Sequence, residues 1–193
     1  MLNYPSGIKS KKAQSAVNTN HASRGMFLET ILNQTNDYYR LKQLAVIHKK
    51  PTPIQVVSVS YPKRSAAVIT EAYYRQASTT DYNGVYQGFY IDFEAKETRN
   101  KTSFPLRNIH QHQLEHMQAC MEQGGITFFI FYFSSLKQFF VLEANYVIDF
   151  ITYHKNSAIP LAYIQEHGME VYLTVQSILD YIPAVQSIIR DKL

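Results

Sequence analysis

A chain of 193 residues with 46% hydrophobic and 13% aromatic content is long enough for one domain with a substantial core and too apolar for a disordered polymer. Its net charge of +4 is unevenly placed: residues 1–64 carry ten Lys/Arg against two Asp/Glu, and residues 111–193 carry four against eight. A basic first third suits either a polyanionic partner or a solvated tail, while the longest apolar run, Ile126 to Phe133, is far too short for a bilayer-spanning helix.

Residues 1–21 are rich in Ser, Asn, Lys and Gln without an apolar period, and read as a flexible basic arm carrying Lys9, Lys11 and Lys12. They hold no apolar segment of the secretory type, and the chain has a single cysteine, Cys120, so a cytoplasmic protein without internal disulfides is expected. From Ser23, a candidate N-cap, the residues Leu28, Ile31, Leu32, Tyr38 and Leu41 predict a first helix. Leu44 to His48 reads as a short buried strand stopped by KKPTP. Ile54 to Tyr61 is β-branched and alternating, and with the AAVITEAYY run after a turn at Pro62–Ser65 it predicts a hairpin arm over about 54–78. A helix from Ser65 to Gln76 competes, because Ala and Glu favour it.

Asp81 to Thr98 reads as a second hairpin. Asn83-Gly84 is the stronger turn by composition, yet a turn at Gln87-Gly88 is preferred because it pairs Tyr82 with Phe93 and Asp81 with Glu94, an acidic pair otherwise without explanation. Period two sets Tyr90, Asp92, Glu94 and Lys96 on one face, looking into a cleft, and Phe89, Ile91, Phe93 and Ala95 on the core face. Charged residues are depleted in strands and facing carboxylates repel, so this arrangement calls for a cation. Opposed carboxylates about 4.5–5.5 Å apart at Cβ can share one Mg²⁺.

Gln111 to Glu122 predicts a helix stopped by Gly124-Gly125, with Gln113, Met117 and Cys120 on one face. There Gln113 could complete a metal shell or contact phosphate, or simply be a buried amide bonded to backbone. The strand ITFFIFYF follows, then an adjoining strand over Phe139–Glu143 and a terminal helix near Ala184–Arg190. The order predicts an α/β sandwich on a mixed sheet.

Asp81 followed by Glu94-Ala95-Lys96 fits the D…(D/E)-x-K pattern of metal-dependent nucleases. Hard oxygen ligands hold Mg²⁺, and a lysine two positions along the strand can stabilise charge on a scissile phosphate. A surface salt-bridge strand gives the same short pattern. His112, Glu115 and His116 also match the H-x-x-E-H signature of inverted zinc proteases, a reading that leaves Asp81, Glu94 and Lys96 without a role.

The segments SRGMFLE, AVIHKKPTP, YPKRSAAVI, STTDYNG, YIDFEAKETRNKTSFPL and HQLEHM, in register over residues 20–150, resemble the RecU family of Holliday-junction resolvases in the PD-(D/E)xK nuclease superfamily. The resemblance implies a restriction-endonuclease-like mixed sheet flanked by helices, with a protruding stalk, in a single nuclease domain over 22–193. It places metal ligands on Thr79, Asp81, Glu94 and Gln113 and a transition-state stabiliser on Lys96, so that Asp81, Glu94 and Lys96 form the catalytic set. The implied cofactor is Mg²⁺, with Mn²⁺ substituting. The implied partners are four-way junction DNA, a second copy of the chain, and a strand-exchange recombinase and branch-migration complex. Lys63, Arg64, Arg99 and Lys101 are expected to position the DNA backbone rather than read bases. A non-catalytic junction-binding protein and a general endonuclease without structural preference are the alternatives.

Overall fold

A computed structural model describes residues 26–63, 67–74, 79–176 and 178–192. The proposed arm over 1–21, the Ser23 cap, Arg64 and parts of the segments 62–65 and 54–78 lie outside the described residues.

The core is a six-stranded sheet in the order β1 (Val46–Lys49), β4 (Tyr82–Tyr86), β5 (Phe89–Thr98), β7 (Ile126–Phe133), β8 (Gln138–Glu143) and β10 (Met169–Val171). All its pairings are antiparallel except β5 with β7. A parallel pair needs a crossover, and the chain supplies it through helix α2 (Gln111–Glu122). Between β5 and α2 lie the short strand β6 (Ser103–Pro105), which pairs with β9 (Ala158–Pro160), and a single 3₁₀ turn, Leu106–Asn108.

Every residue of β7 is buried, as its unbroken apolar run requires of a strand covered on both faces. One face of the sheet packs on α1 (Met26–Leu41) and α5 (Ile182–Arg190), through Leu28, Ile31, Leu32, Val185 and Ile189 against Ile91, Phe93, Phe128 and Ile130. Those α1 residues recur at helical spacing, which turns one stripe of the helix to the sheet. Across β4, β5 and β7 the rings of Tyr82, Phe93 and Phe128 stack in file, with centroids 4.8 Å apart at each step. The other face carries α2 and α3 (Ala144–Tyr153), with Leu114, Met117, Val147 and Phe150 against Phe129, Phe131 and Phe133. Helix α4 (Leu161–His167) follows β9 and contributes Ile164 to that layer. Two helical layers around a mixed sheet give the expected restriction-endonuclease-like α/β class.

The hairpin turn is at Gln87-Gly88, where both residues have positive φ, 48° and 85°, as a two-residue primed turn demands. Tyr86 therefore faces Phe89, and Tyr82 faces Phe93. Asn83-Gly84, the better turn by composition, instead lies inside β4. A Cβ on Gly84 would sit 2.1 Å from the Val46 carbonyl, so the glycine is there for the close approach of β1.

Strands β2 (Ile54–Ser60) and β3 (Val68–Tyr74) form a separate antiparallel hairpin that pairs with no strand of the main sheet. The extended pairing of 68–74 rules out the competing helix there. Its apolar residues Ile54, Val57, Val68 and Tyr73 are exposed. No helix among the described residues is long and apolar enough to cross a membrane.

The period-two expectation for β5 needs one amendment. Its charged face is not an open cleft: Asp92 and Glu94 are 0% and 3% exposed, because α2 lies over them.

Candidate active site

Strand β5 presents Asp92, Glu94 and Lys96 toward α2, and the segment leading into β4 brings Thr79, Thr80 and Asp81 alongside. Continuing the β4–β5 register by one residue sets Asp81 opposite Glu94. The Ala95 N–H donates to Asp81 Oδ2 at 3.1 Å, which fixes the carboxylate against the strand edge.

Glu94 Oε1 accepts from the Lys96 ammonium at 2.7 Å and from Gln113 Nε2 at 2.6 Å. The amide oxygen of Gln113 accepts the His110 N–H at 3.3 Å and so helps cap α2. Gln113 thus braces Glu94 and bonds to the backbone at the helix terminus, the last of the roles left open by the sequence. The second oxygen, Glu94 Oε2, is buried with no hydrogen-bond partner. Burial, and then the nearby Asp81 charge, push the Glu94 carboxyl from its ordinary 4.5 up to about 7, against the opposing pull of Lys96 and Gln113. A buried anion with an orphaned oxygen, opposite a second carboxylate, is a donor set suited to a hard cation.

A second cluster lies two residues back along the same strand. Asp92 Oδ2 accepts from Lys50 Nζ at 2.6 Å and Tyr90 OH at 2.7 Å, with His116 Nε2 at 3.1 Å. Its other oxygen accepts the Thr80 hydroxyl. Lys50 Nζ also donates to Thr80 Oγ1 at 2.6 Å and Thr79 Oγ1 at 3.1 Å. The sequence reading placed Asp92 on the correct face but missed Lys50, Thr80 and His116 as its partners. No local pattern joins residues 42 apart in the chain. Alternation along β1 does separate Lys49, which pairs with Glu29 of α1, from Lys50, which turns to the site.

The ligand atoms of Asp92, His116 and Cys120 lie within 4.8 Å of one another, and Cys120 Sγ is 3.6 Å from His116 Nε2. The Lys50 ammonium already stands among them as the cation. Burial and then the Asp92 charge raise the Cys120 thiol, against the opposing pull of Lys50. His112 belongs to no such group among the described residues and stacks on His110 instead, so the protease-like H-x-x-E-H signature gathers no ligand set.

The structure therefore brings together Asp81, Glu94, Lys96 and Gln113, whereas the Thr79 hydroxyl lies on the Lys50 ammonium of the Asp92 cluster. Lys63 is exposed beside the hairpin arm, and Arg99 and Lys101 are exposed in the loop after β5. Arg99 shares a groove with Glu97 and Arg107, the last of which the sequence did not single out.

Comparison with known families matches the model described as Recombination protein U over residues 23–187. The chain belongs to the RecU family. A protein of Streptococcus gordonii named Holliday junction resolvase RecU is 53% identical over 197 residues, covering 100% of this chain and 97% of that one. Its namesake in Geobacillus kaustophilus is 53% identical over 196 residues, with 97% of each chain covered. That of Streptococcus sanguinis is 51% identical over 193 residues, covering 96% and 95%. RecU membership thus spans both helical layers and the whole of the six-stranded sheet.

Proposed function

We propose that this protein is a Mg²⁺-dependent, structure-selective endodeoxyribonuclease that resolves four-way DNA junctions by paired symmetric nicks, in homologous recombination, repair and chromosome segregation. The observation that carries the reading is Glu94: a buried carboxylate opposite Asp81, with one oxygen on the Lys96 ammonium and the other without a partner. Its family relatives, named as Holliday junction resolvases, support the substrate.

Thr79, Asp81, Glu94 and Gln113 would hold the metal. Bound there, Mg²⁺, or Mn²⁺ in its place, would supply Lewis acidity at the scissile phosphate and at a water nucleophile, for in-line hydrolysis to 5′-phosphate and 3′-hydroxyl ends. Lys96 keeps Glu94 oriented and offers an ammonium to the charge that develops on phosphorus. Gln113 holds Glu94 from the α2 side, and α2 itself keeps bulk water from that face of β5. Lys63, Arg64, Arg99 and Lys101 would position phosphates, so selectivity rests on the shape of the junction. Matched nicks in two strands of a two-fold symmetric substrate need two sites, which a C2 homodimer provides. Action on chromosomal DNA places the protein in the cytoplasm, alongside a strand-exchange recombinase and a branch-migration complex.

The test is incubation with a mobile four-way junction, with and without Mg²⁺, mapping both nicks on a sequencing gel against a linear-duplex competitor. Symmetric nicks that need the metal are expected. Metal-independent cleavage would overturn the mechanism, and equal cutting of linear duplex would reduce the protein to a general endonuclease.

A further inference from the structure

We propose that Lys50 is a positioning residue for this cation site: its backbone and its ammonium together clamp the 79–81 segment against β5, which sets Asp81 opposite Glu94. The inference rests on the function proposed above.

Two independent attachments carry it. The Lys50 N–H donates to the Asp81 carbonyl at 2.8 Å, tying the end of β1 to the start of β4 through the main chain. Its ammonium meets the hydroxyls of Thr79 and Thr80 at 3.1 and 2.6 Å and the Asp92 carboxylate at 2.6 Å. Asp92 is fully buried on the strand that carries Glu94, so Lys50 is a cross-link between the two halves of the proposed ligand set. The bond is specific, because Asp92 is held from four sides. Tyr90, His116, Thr80 and Lys50 leave it no freedom to turn, and only Lys50 reaches on to Thr79. An ammonium, with several donors on one nitrogen, can serve both carboxylate and hydroxyls at once.

Electrostatics and positioning predict opposite signs. An ammonium near a cation site repels the metal, so its removal by charge alone would tighten metal binding. Loss of a clamp loosens it instead. The experiment measures Mn²⁺ binding to DNA-free protein by electron paramagnetic resonance, and the Mg²⁺ concentration giving half-maximal junction cleavage. Both are compared across wild type, Lys50→Met, the Lys50→Met/Asp92→Asn double variant and Glu94→Ala. Where Lys50→Met alone does not fold, the double variant carries the test, since it leaves neither charge buried without its partner.

Metal affinity in the double variant should fall by about 10–100-fold, the range for residues that orient a ligand, with junction binding in the absence of metal unchanged. Wild-type or tighter Mn²⁺ binding in the double variant, with binding lost in Glu94→Ala, overturns the clamp alone. Unaltered Mn²⁺ binding in Glu94→Ala overturns the cation site itself and the clamp with it.

Discussion

Asp92 and Glu94 are both buried, lie two residues apart on one face of β5, and meet opposite fates. Asp92 is surrounded by groups the protein supplies, an ammonium, two hydroxyls and an imidazole, on both of its oxygens. Glu94 has a lysine and an amide on one oxygen and nothing on the other, with a second carboxylate nearby. A buried charge is tolerated when paired and bonded, so the first carboxylate is a structural fixture of the sheet. The second is poised for a cation, and without one it holds a proton more readily than a normal glutamate. The same strand thus builds a rigid anchor and, one pleat along, the proposed cation site.

The largest effect that can break this contrast is on cleavage. Asp81→Ala and Glu94→Ala should each lower junction cleavage by about 10³-fold, the upper end for a single charge-stabilising group, while gel-shift binding of the junction is retained. Nicking at the wild-type rate by either variant would remove the proposed site.

Stability separates the two carboxylates next. Asp92→Ala strands the Lys50 ammonium and should cost about 3–5 kcal/mol in urea unfolding. Glu94→Gln, in metal-free protein, should cost little or stabilise, because it removes a charge that Asp81 repels. If both substitutions cost the same, the distinction is lost.

Smaller is the effect of Lys96→Met, for which cleavage should drop by about 10²-fold with junction affinity nearly unchanged. A matching drop in affinity would make Lys96 a DNA anchor instead.

The last effect is in pH, spread over several units. The folded-state value of Glu94 lies above its unfolded one, so its contribution to metal-free stability is complete below about 4.5 and is lost as pH rises through about 7. Mg²⁺ affinity should run the other way over that window, since the cation needs the ionised carboxylate. Denaturant midpoints of wild type and Glu94→Gln between pH 4.5 and 8 check the first slope, which the variant should flatten. Calorimetric Mg²⁺ titration of wild type at the same pH values checks the second.

Local chemistry made much of this molecule readable in advance. The helix over Gln111–Glu122, the buried strand ITFFIFYF and the alternation along Phe89–Thr98 follow from side-chain periods that operate within a few residues. The C-terminal third was harder, because β9, α4 and β10 are short pieces that owe their form to packing rather than to a long period. The turn at Gln87-Gly88, preferred over Asn83-Gly84 because it pairs Asp81 with Glu94, is the one the chain makes. Tertiary contact added the reason for Gly84, on which β1 packs so closely that no side chain fits. It also closed α2 over the charged face of β5 and joined Lys50 to Asp92. The period of a strand says which way a carboxylate points, but its partner across the fold depends on loop closure and packing among residues far apart in the chain. Order along the chain carries no signal for that.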